Sequence, residues 1–257
     1  MSETLIAAQQ ISVQFGGLMA VKDVDAVVKA GEILGVIGPN GAGKSTFLNV
    51  LTGLQRPSHG YLQIGSDRIT DLKAWRMAKL GVARSFQTIR LLDDLNAVEN
   101  VLLGSHLYAR KGFLDVIART PRWRKTEQQL LQEAYDTVDW LGVGHKAKDS
   151  ISNLSLQERR RVEMARALMT RPRVLLLDEP CAGFSPQESI DLSDVIRAIR
   201  NRGISVVLVE HNVKMVMSLA DRVVVLDHGQ KIAEGTPTEV SRNEAVIKAY
   251  LGGEVHA

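Results

Sequence analysis

A glycine-rich segment at residues 38–46 constrains the fold of this chain more than any other feature. It fits the pattern G-x-x-x-x-G-K-[ST], and its residues are Gly38, Pro39, Asn40, Gly41, Ala42, Gly43, Lys44, Ser45 and Thr46. An apolar run precedes the segment, and a helix-forming stretch follows it. Glycines let successive backbone N–H groups point inward, and the helix presents its own unsatisfied N–H groups to an anion. The pattern therefore predicts a strand, a phosphate-binding loop and a helix.

Two side chains of this loop suit a nucleotide that carries magnesium. Lys44 brings a full positive charge toward the outer phosphates, and the Ser45 hydroxyl is a hard oxygen ligand for Mg²⁺. The alternative is an incidental glycine-rich turn, and the flanking strand and helix argue against it.

Two acids, Asp178 and Glu179, follow an apolar run at residues 174–177. In a chain with a phosphate-binding loop, the first acid holds Mg²⁺, usually through water. The second can accept a proton from the attacking water or orient it. A lone Asp-Glu pair would more often cap a strand at the surface, but the apolar run and the loop favour the catalytic interpretation.

His211 follows another apolar run, at residues 204–209, which places it at the carboxyl edge of the predicted sheet. Ligands bind at this edge in such folds, and the imidazole can donate a hydrogen bond to the γ-phosphate there. By itself such a histidine would more often be a satisfied surface residue. The neighbouring Glu210 is interpreted as a solvated side chain.

Hydrophobic periodicity predicts an α/β core with a helical insert. The predicted strands are 5–13, 21–28, 32–37, 60–64, 82–86, 174–177, 204–209 and 223–226. The predicted helices are 44–52, 95–107, 127–141, 186–202 and 213–219, and the Arg- and Lys-rich stretch 110–125 is expected to connect two of them. Alternating strands and helices imply parallel βαβ units. We therefore expect a mostly parallel core sheet from about 1–90 and 172–257, an N-terminal antiparallel β-subdomain, and a helical subdomain at about 91–171.

Composition excludes several classes of protein. The net charge of the 257 residues is +3, so the small basic excess does not demand a nucleic-acid partner. The one cysteine, Cys181, excludes an internal disulfide and a cysteine zinc cluster, and is expected to be a small buried residue. Because the sequence has neither a signal-peptide pattern nor an apolar run of about 18 residues, a membrane role is expected to act through a partner.

These motifs, in this order, resemble those of an ABC ATPase over essentially the whole chain. Phe15 stands where that family places an aromatic that stacks on adenine, and Gln87 matches its Q-loop, which senses Mg²⁺ and the transmembrane partner. Residues 182–186 occupy the D-loop position, and His211 matches the switch histidine. The resemblance implies a P-loop NTPase fold of the ABC type with ATP and Mg²⁺ as cofactors. It also implies a metal site at Ser45, Gln87 and Asp178, and catalysis by Glu179, His211 and Gln87.

Finer features are similar to the LivG-type ATPases of branched-chain amino-acid importers. The segments that carry this similarity are the Arg-rich insert, 15–21, 87–100, 209–217, 233–237 and 249–252. The similarity implies a second homologous ATPase, or a homodimer, together with two permease subunits and an extracytoplasmic solute-binding protein. The expected location is the cytoplasmic face of the inner membrane. Transporters of urea, amides or lipopolysaccharide remain alternatives.

The signature motif departs from the family form Leu-Ser-Gly-Gly-Gln, since here it reads Leu154-Ser155-Leu156-Gln157-Glu158. In the family this motif offers a serine and backbone N–H groups to the ATP of the opposite subunit, and Ser155 is retained. Gln157 replaces a glycine that allows close backbone approach. Glu158 adds negative charge near an anion. The composite site that uses this motif is therefore expected to be slow or silent.

Two other functional classes are weaker interpretations. ABC ATPases of DNA repair or ribosome function carry long coiled coils, zinc-binding cysteines or tandem ATPase halves, and this sequence has none of these patterns. Its basic clusters at 159–161 and 119–125 are interpreted as solvated faces or as phosphate-adjacent helix positions, so no nucleic acid is expected. A regulator that binds ATP without hydrolysing it is disfavoured by the intact Glu179.

Overall fold

A computed structural model of the chain describes residues 3–69, 72–85, 89–107 and 121–251. The chain divides into two compact units, one formed by Met1–Gln87 with Arg173–Ala257, and the other by Thr88–Pro172. None of the helices in the described ranges is both long enough and apolar enough to cross a membrane.

The described secondary structure comprises the following strands and helices. The strands are β1 (Thr4–Phe15), β2 (Leu18–Lys29), β3 (Ile33–Ile37), β4 (His59–Ile64), β5 (Asp67–Ile69), β6 (Val82–Ser85), β7 (Val174–Asp178), β8 (Ser205–Val209), β9 (Arg222–Asp227) and β10 (Gln230–Gly235). The helices are α1 (Lys44–Leu51), α2 (Ala74–Lys79), α3 (Ala97–Leu102), α4 (Pro121–Trp140), α5 (Leu156–Leu168), α6 (Pro186–Asn201), α7 (Val213–Leu219), α8 (Pro237–Ser241) and α9 (Glu244–Leu251).

The first unit is built on a six-stranded sheet in the order β10-β9-β3-β8-β7-β6. All its neighbouring strands are parallel except the β9–β10 pair. Every residue of β3, β7 and β8 is buried, as expected for parallel strands covered on both faces. The prediction of an α/β fold with a mostly parallel core sheet is confirmed.

A four-stranded antiparallel sheet, in the order β2-β1-β4-β5, belongs to the same unit. Its first two strands are longer than the alternation predicts, since β1 runs to Phe15 and β2 starts at Leu18. Residues 14–19 are exposed, so they show no inward and outward alternation that sequence analysis can detect. The turn between the strands includes Gly16, whose φ of 56° is costly for other residues.

The second unit packs α3, α4 and α5 together. All three helices contribute fully buried apolar residues, namely Val101, Ala134, Val138, Val162 and Met164. Helix α4 begins at Pro121, so the predicted start at residue 127 was wrong. A proline is tolerated in the first turn of a helix because the N–H groups there have no intrahelical acceptor. Residues 110–120 of the predicted connection lie outside the described ranges.

The basic cluster at 159–161 is not a solvated face, which corrects the sequence interpretation. Arg160 is 2 % exposed, and its guanidinium lies 2.8 Å from the equally buried Glu163 carboxylate. Arg159 and Arg161 donate to the backbone carbonyls of Leu154 and Leu141. A buried charge must be paired, and these contacts meet that requirement within the helical unit.

Gly35, at the centre of β3, tests the packing of α7 against the sheet. A Cβ at this position would lie 2.4 Å from Val216 Cγ1 and 3.3 Å from Ala220 Cβ. We expect Gly35→Ala to lower the free energy of unfolding by about 1–3 kcal/mol, as overpacking does. Urea unfolding followed by circular dichroism measures this loss.

Gly17→Ala is the matched control, because a Cβ at Gly17 would meet no atom within 4 Å. We expect this control to stay within about 0.5 kcal/mol of the parent chain. Equal stability of the two variants would contradict the close contact between β3 and α7.

Candidate nucleotide-binding site

The glycine-rich loop joins the carboxyl end of β3 to α1, as the pattern predicts. Two of its glycines are required by close backbone contacts. A Cβ on Gly38 would lie 2.0 Å from the Leu226 carbonyl oxygen, and one on Gly43 would lie 2.4 Å from the Ala20 carbonyl oxygen. Gly43 also has a φ of 95°, which favours glycine. The loop is therefore held at one position in the fold, with the amino end of α1 at its exit.

Lys44, the first residue of α1, is 5 % exposed. Its ammonium donates to the carbonyl oxygens of Gly38, at 2.8 Å, and Pro39, at 2.9 Å. Burial lowers the pKa of Lys44 below its ordinary value, and the Glu179 and Asp178 carboxylates act in the opposite direction. A phosphate is a stronger partner than two neutral carbonyls for a partly desolvated cation.

Glu179 follows β7 and is 8 % exposed. Its φ of 48° is an uncommon backbone conformation for a residue with a side chain, and its N–H donates to the Val209 carbonyl at 2.8 Å. Such backbone strain clusters at functional sites. The Glu179 carboxylate oxygen Oε1 lies 2.5 Å from Nε2 of His211, whose ring is half exposed. The structure thus brings together two of the predicted catalytic side chains.

Asp178 is the last residue of β7, and its carboxylate is 3 % exposed. Oδ2 lies 2.6 Å from the Arg84 guanidinium, whereas Oδ1 is buried without a hydrogen-bond partner among the described residues. A buried carboxylate oxygen needs a donor or a cation. The carboxylate oxygen and the Ser45 hydroxyl are hard oxygen donors, so this donor set fits Mg²⁺. Gln87, the third predicted metal residue, lies outside the described ranges.

An open cavity of about 690 Å³ is lined by several of these groups. Its lining includes Phe15, Glu179, His211, His228 and the loop residues 40–46. Phe15 is 49 % exposed at the end of β1, so its ring face is available for stacking. The volume lies within the usual range for ligand pockets, about 300–1,000 Å³. The lining thus combines an aromatic ring with the loop, Lys44 and Glu179.

Ser155 belongs to the other compact unit, Thr88–Pro172, where it is the N-cap of α5. Its hydroxyl accepts the Glu158 backbone N–H at 3.2 Å, and Glu158 Oε2 accepts the Ser155 backbone N–H at 2.8 Å. This reciprocal pair is a capping box. The Ser155 N–H lowers the pKa of Glu158. The carboxylate that the sequence analysis placed near an anion is therefore hydrogen-bonded to its own helix terminus.

The interpretation of Glu210 as a solvated side chain was wrong, because the residue is 4 % exposed. Its carboxylate accepts the backbone N–H of Cys181 at 2.7 Å and that of His211 at 3.2 Å. Burial raises the pKa of Glu210, and these two amides act against that shift. Glu210 thus ties the turn after Glu179 to the end of β8. Cys181 is buried with Sγ 3.4 Å from Met215 Sδ, which confirms the prediction of a small buried residue.

Two further residues near the loop were missed by sequence analysis. One is Arg84. The available signal was a charged residue inside the predicted strand 82–86, directly after Val82 and Ala83. The other is Tyr250 of α9. Burial raises the pKa of Tyr250 to about 12, although the Gly38 backbone amide acts in the opposite direction. A second cavity of about 660 Å³ lies between residues 39–42 and α9, so the C-terminal helix lies close to the loop.

Comparisons with known proteins agree with this geometry. The family model described as ABC transporter matches residues 21–182, and one described as branched-chain amino acid ATP-binding cassette transporter matches residues 230–256. The chain is 39 % identical over 253 residues to the high-affinity branched-chain amino acid transport ATP-binding protein BraF of Pseudomonas aeruginosa, covering 98 % of this chain and 99 % of that protein. It is 36 % identical, with the same coverage, to the corresponding protein LivG of Escherichia coli.

Solved structures give the same result. An ATP-binding cassette of an ABC transporter in its ADP conformation superposes with a TM-score of 0.85 at 29 % identity, covering 98 % of this chain and all of that one. A nucleotide-free ATP-binding cassette gives 0.83 at 28 % identity, covering 96 % and 98 %. The chain therefore belongs to the ABC transporter family, as one of its ATP-binding proteins.

Proposed function

We propose that this chain hydrolyses ATP to power the import of branched-chain amino acids or related solutes through partner permeases. The observation that carries the proposal is the Glu179–His211 pair, which faces the same cavity as Lys44 and the glycine-rich loop. The substrate class is supported by the family match at residues 230–256 and by the similarity to BraF and LivG, which are branched-chain amino acid transport ATP-binding proteins.

The loop and Lys44 bind the phosphates of ATP. The residues at the start of α1 line the cavity, and the free backbone N–H groups of a helix N-terminus stabilise an anion with their aligned dipoles. When phosphate enters, the Lys44 ammonium exchanges the Gly38 and Pro39 carbonyls for phosphate oxygens. The Phe15 ring stacks on the adenine, which tolerates different bases because every base has a π-face.

Glu179 orients the attacking water and accepts its proton, which is the role of a general base. His211 holds the carboxylate through its Nε2 contact and can donate to the γ-phosphate. Glu210 keeps this pair in place, because it anchors the turn at Cys181 and the amide of His211.

Magnesium would be held by Ser45 and by Asp178, whose Oδ1 has no protein partner in the described part of the chain. We propose Gln87 as the third residue of this set. The ion supplies neutralisation of charge on the phosphates. Arg84 already engages Oδ2 of Asp178, so Oδ1 is the oxygen that would be available to the ion or to one of its waters.

We infer that the chain works as part of a complex at the cytoplasmic face of the membrane. Its proposed partners are a second homologous ATPase or a second copy of this chain, two permease subunits and an extracytoplasmic solute-binding protein. Ser155, in the signature-bearing helical subdomain, would face ATP bound by the opposite subunit. This assembly is supported by the family membership, because ATP-binding proteins of this class energise transport through membrane partners.

Lipopolysaccharide export is the second candidate. The chain is 34 % identical over 256 residues to the lipopolysaccharide export system ATP-binding protein LptB of Acidithiobacillus ferridurans. The match at residues 230–256 to the branched-chain amino acid family favours import of amino acids. Uptake of radiolabelled leucine by cells that lack this chain separates the two candidates.

Glu179→Gln tests the hydrolytic role. The amide keeps the shape of the side chain but cannot accept a proton, so we expect the ATPase rate of the complex to fall by about a hundredfold or more. ATP binding should remain. Cells that lack this chain should regain leucine uptake when they carry the parent chain but not when they carry the variant. The measurements are phosphate release and uptake by cells that carry the variant.

Glu3→Gln is the control for this change. It alters the same chemical group at an exposed acid that pairs with Arg173 outside the cavity, and both activities should stay near those of the parent. Turnover of Glu179→Gln within a few-fold of the parent would contradict the assignment. Normal ATPase activity without leucine uptake would contradict the substrate class alone.

The altered signature motif predicts unequal sites in a heterodimer. The site that holds Glu179 borrows the partner's signature, whereas the other site must use Ser155, Gln157 and Glu158. We propose that the first site carries most of the hydrolysis. The double variant Gln157→Gly with Glu158→Gln should raise turnover, because it readmits the backbone and removes a charge. The capping box should survive, since glutamine serves as well as glutamate there.

The comparison that tests this asymmetry is Glu179→Gln in this chain against the equivalent change in the partner, measured as phosphate release. The first should abolish nearly all activity, and the second should cost little. Equal losses from the two changes, with no gain from the restored motif, would show that Ser155 and the helix terminus suffice.

A further inference from the structure

Arg84 connects the helix after the phosphate-binding loop to the end of β7. It lies on the edge strand β6, yet its side chain is 8 % exposed. Nη2 of its guanidinium donates to Asp178 Oδ2 at 2.6 Å, and Nη1 donates to Oδ1 of Asn49 on α1 at 2.6 Å. The guanidinium is planar and rigid, so the two contacts together fix its plane.

This contact determines how the Asp178 carboxylate can be used. A carboxylate that is 3 % exposed must be paired, and Arg84 provides the pairing at Oδ2. Oδ1 is left buried and without a protein partner in the described part of the chain. Oδ2 of Asp178 is therefore occupied by Arg84, and Oδ1 is available to a ligand.

We propose that Arg84 is the positioning residue of the magnesium site, and that it holds Asp178 so that Oδ1 receives the hydrated ion. Asn49 braces Arg84 from α1, so the loop helix and the metal carboxylate share one hydrogen-bonded connection. This inference rests on the proposed ATPase function. It goes beyond that function because it assigns a role to two residues, Arg84 and Asn49, outside the nucleotide cavity.

Loss of Arg84 would have two opposing effects on the affinity for magnesium. Arg84 is a cation near a cation site, and simple repulsion would weaken magnesium binding. Without Arg84, however, the buried Asp178 carboxylate would lose its partner, and its orientation would no longer be fixed. We expect this second effect to dominate, because mutation of a group that orients a metal ligand typically lowers metal affinity or activity by about 10–100-fold.

The experiment measures the affinity for a fluorescent ATP analogue in excess Mg²⁺ and again in EDTA. The readout is the affinity in Mg²⁺ divided by the affinity in EDTA, so a larger ratio means that magnesium contributes more to binding. Arg84→Met should reduce this ratio by about tenfold, with binding in EDTA unchanged within about twofold. The Mg²⁺ concentration for half-maximal phosphate release should rise in parallel. Arg222→Met is the matched control, because Arg222 forms a comparable ion pair with Glu32 at the opposite end of the sheet, and its ratio should equal that of the parent.

Two milder variants keep the test decisive if Arg84→Met does not fold. Arg84→Lys retains the charge but cannot span Asn49 and Asp178 together, so its ratio should be intermediate. Asn49→Ala removes the brace and leaves the ion pair, so its ratio should fall by a smaller factor in the same direction.

Three results would overturn the inference. One is a ratio unchanged in Arg84→Met and Asn49→Ala. Another is a larger ratio in Arg84→Met, which would mean that repulsion dominates. The third is an equal loss of affinity with and without Mg²⁺, which would mean a general structural role. A parent chain whose ATP binding and hydrolysis both ignore magnesium would contradict the proposed function instead.

Discussion

The parallel pairing of β3, β8 and β7 is the constraint on which the site depends. Strands that run in the same direction end at the same edge of the sheet, and each of these three delivers a functional group there. The glycine-rich loop follows β3, the two acids close β7, and Glu210 with His211 follows β8. Because all three strands are buried, the segments that carry these groups start from fixed points at the edge of the core.

Burial of charge is the second feature that shapes the site. Lys44, Asp178, Glu179 and Glu210 are each less than a tenth exposed, and such groups are costly unless they are paired. The fold meets this requirement with carbonyls for the lysine, a guanidinium for Asp178, an imidazole for Glu179 and backbone amides for Glu210. The site is thus preorganised for charge that arrives with the substrate, which is how electrostatic catalysis lowers barriers.

The sequence predicts the parts of this site that depend on local chemistry. The phosphate-binding loop, the acids after β7 and the histidine after β8 are recognisable because short motifs and apolar runs define their positions. It does not predict the contacts of Arg84 or the burial of Glu210, because their partners come from other elements. It also does not predict the Arg160–Glu163 pair, because the i,i+3 spacing within α5 does not show that this face of the helix is buried. The short exposed strands β5 and β10 are missed for a related reason, since few of their residues are buried and periodicity is weak.

The central claim is that this loop and these acids hold MgATP for hydrolysis. A crystal structure with a non-hydrolysable ATP analogue and Mg²⁺ tests it most directly. The account predicts phosphates against the loop amides, adenine against Phe15, and the Lys44 ammonium on phosphate oxygens instead of the Gly38 and Pro39 carbonyls. A nucleotide bound outside this cavity, or a Lys44 that still binds the two carbonyls while phosphate occupies the loop, would contradict it.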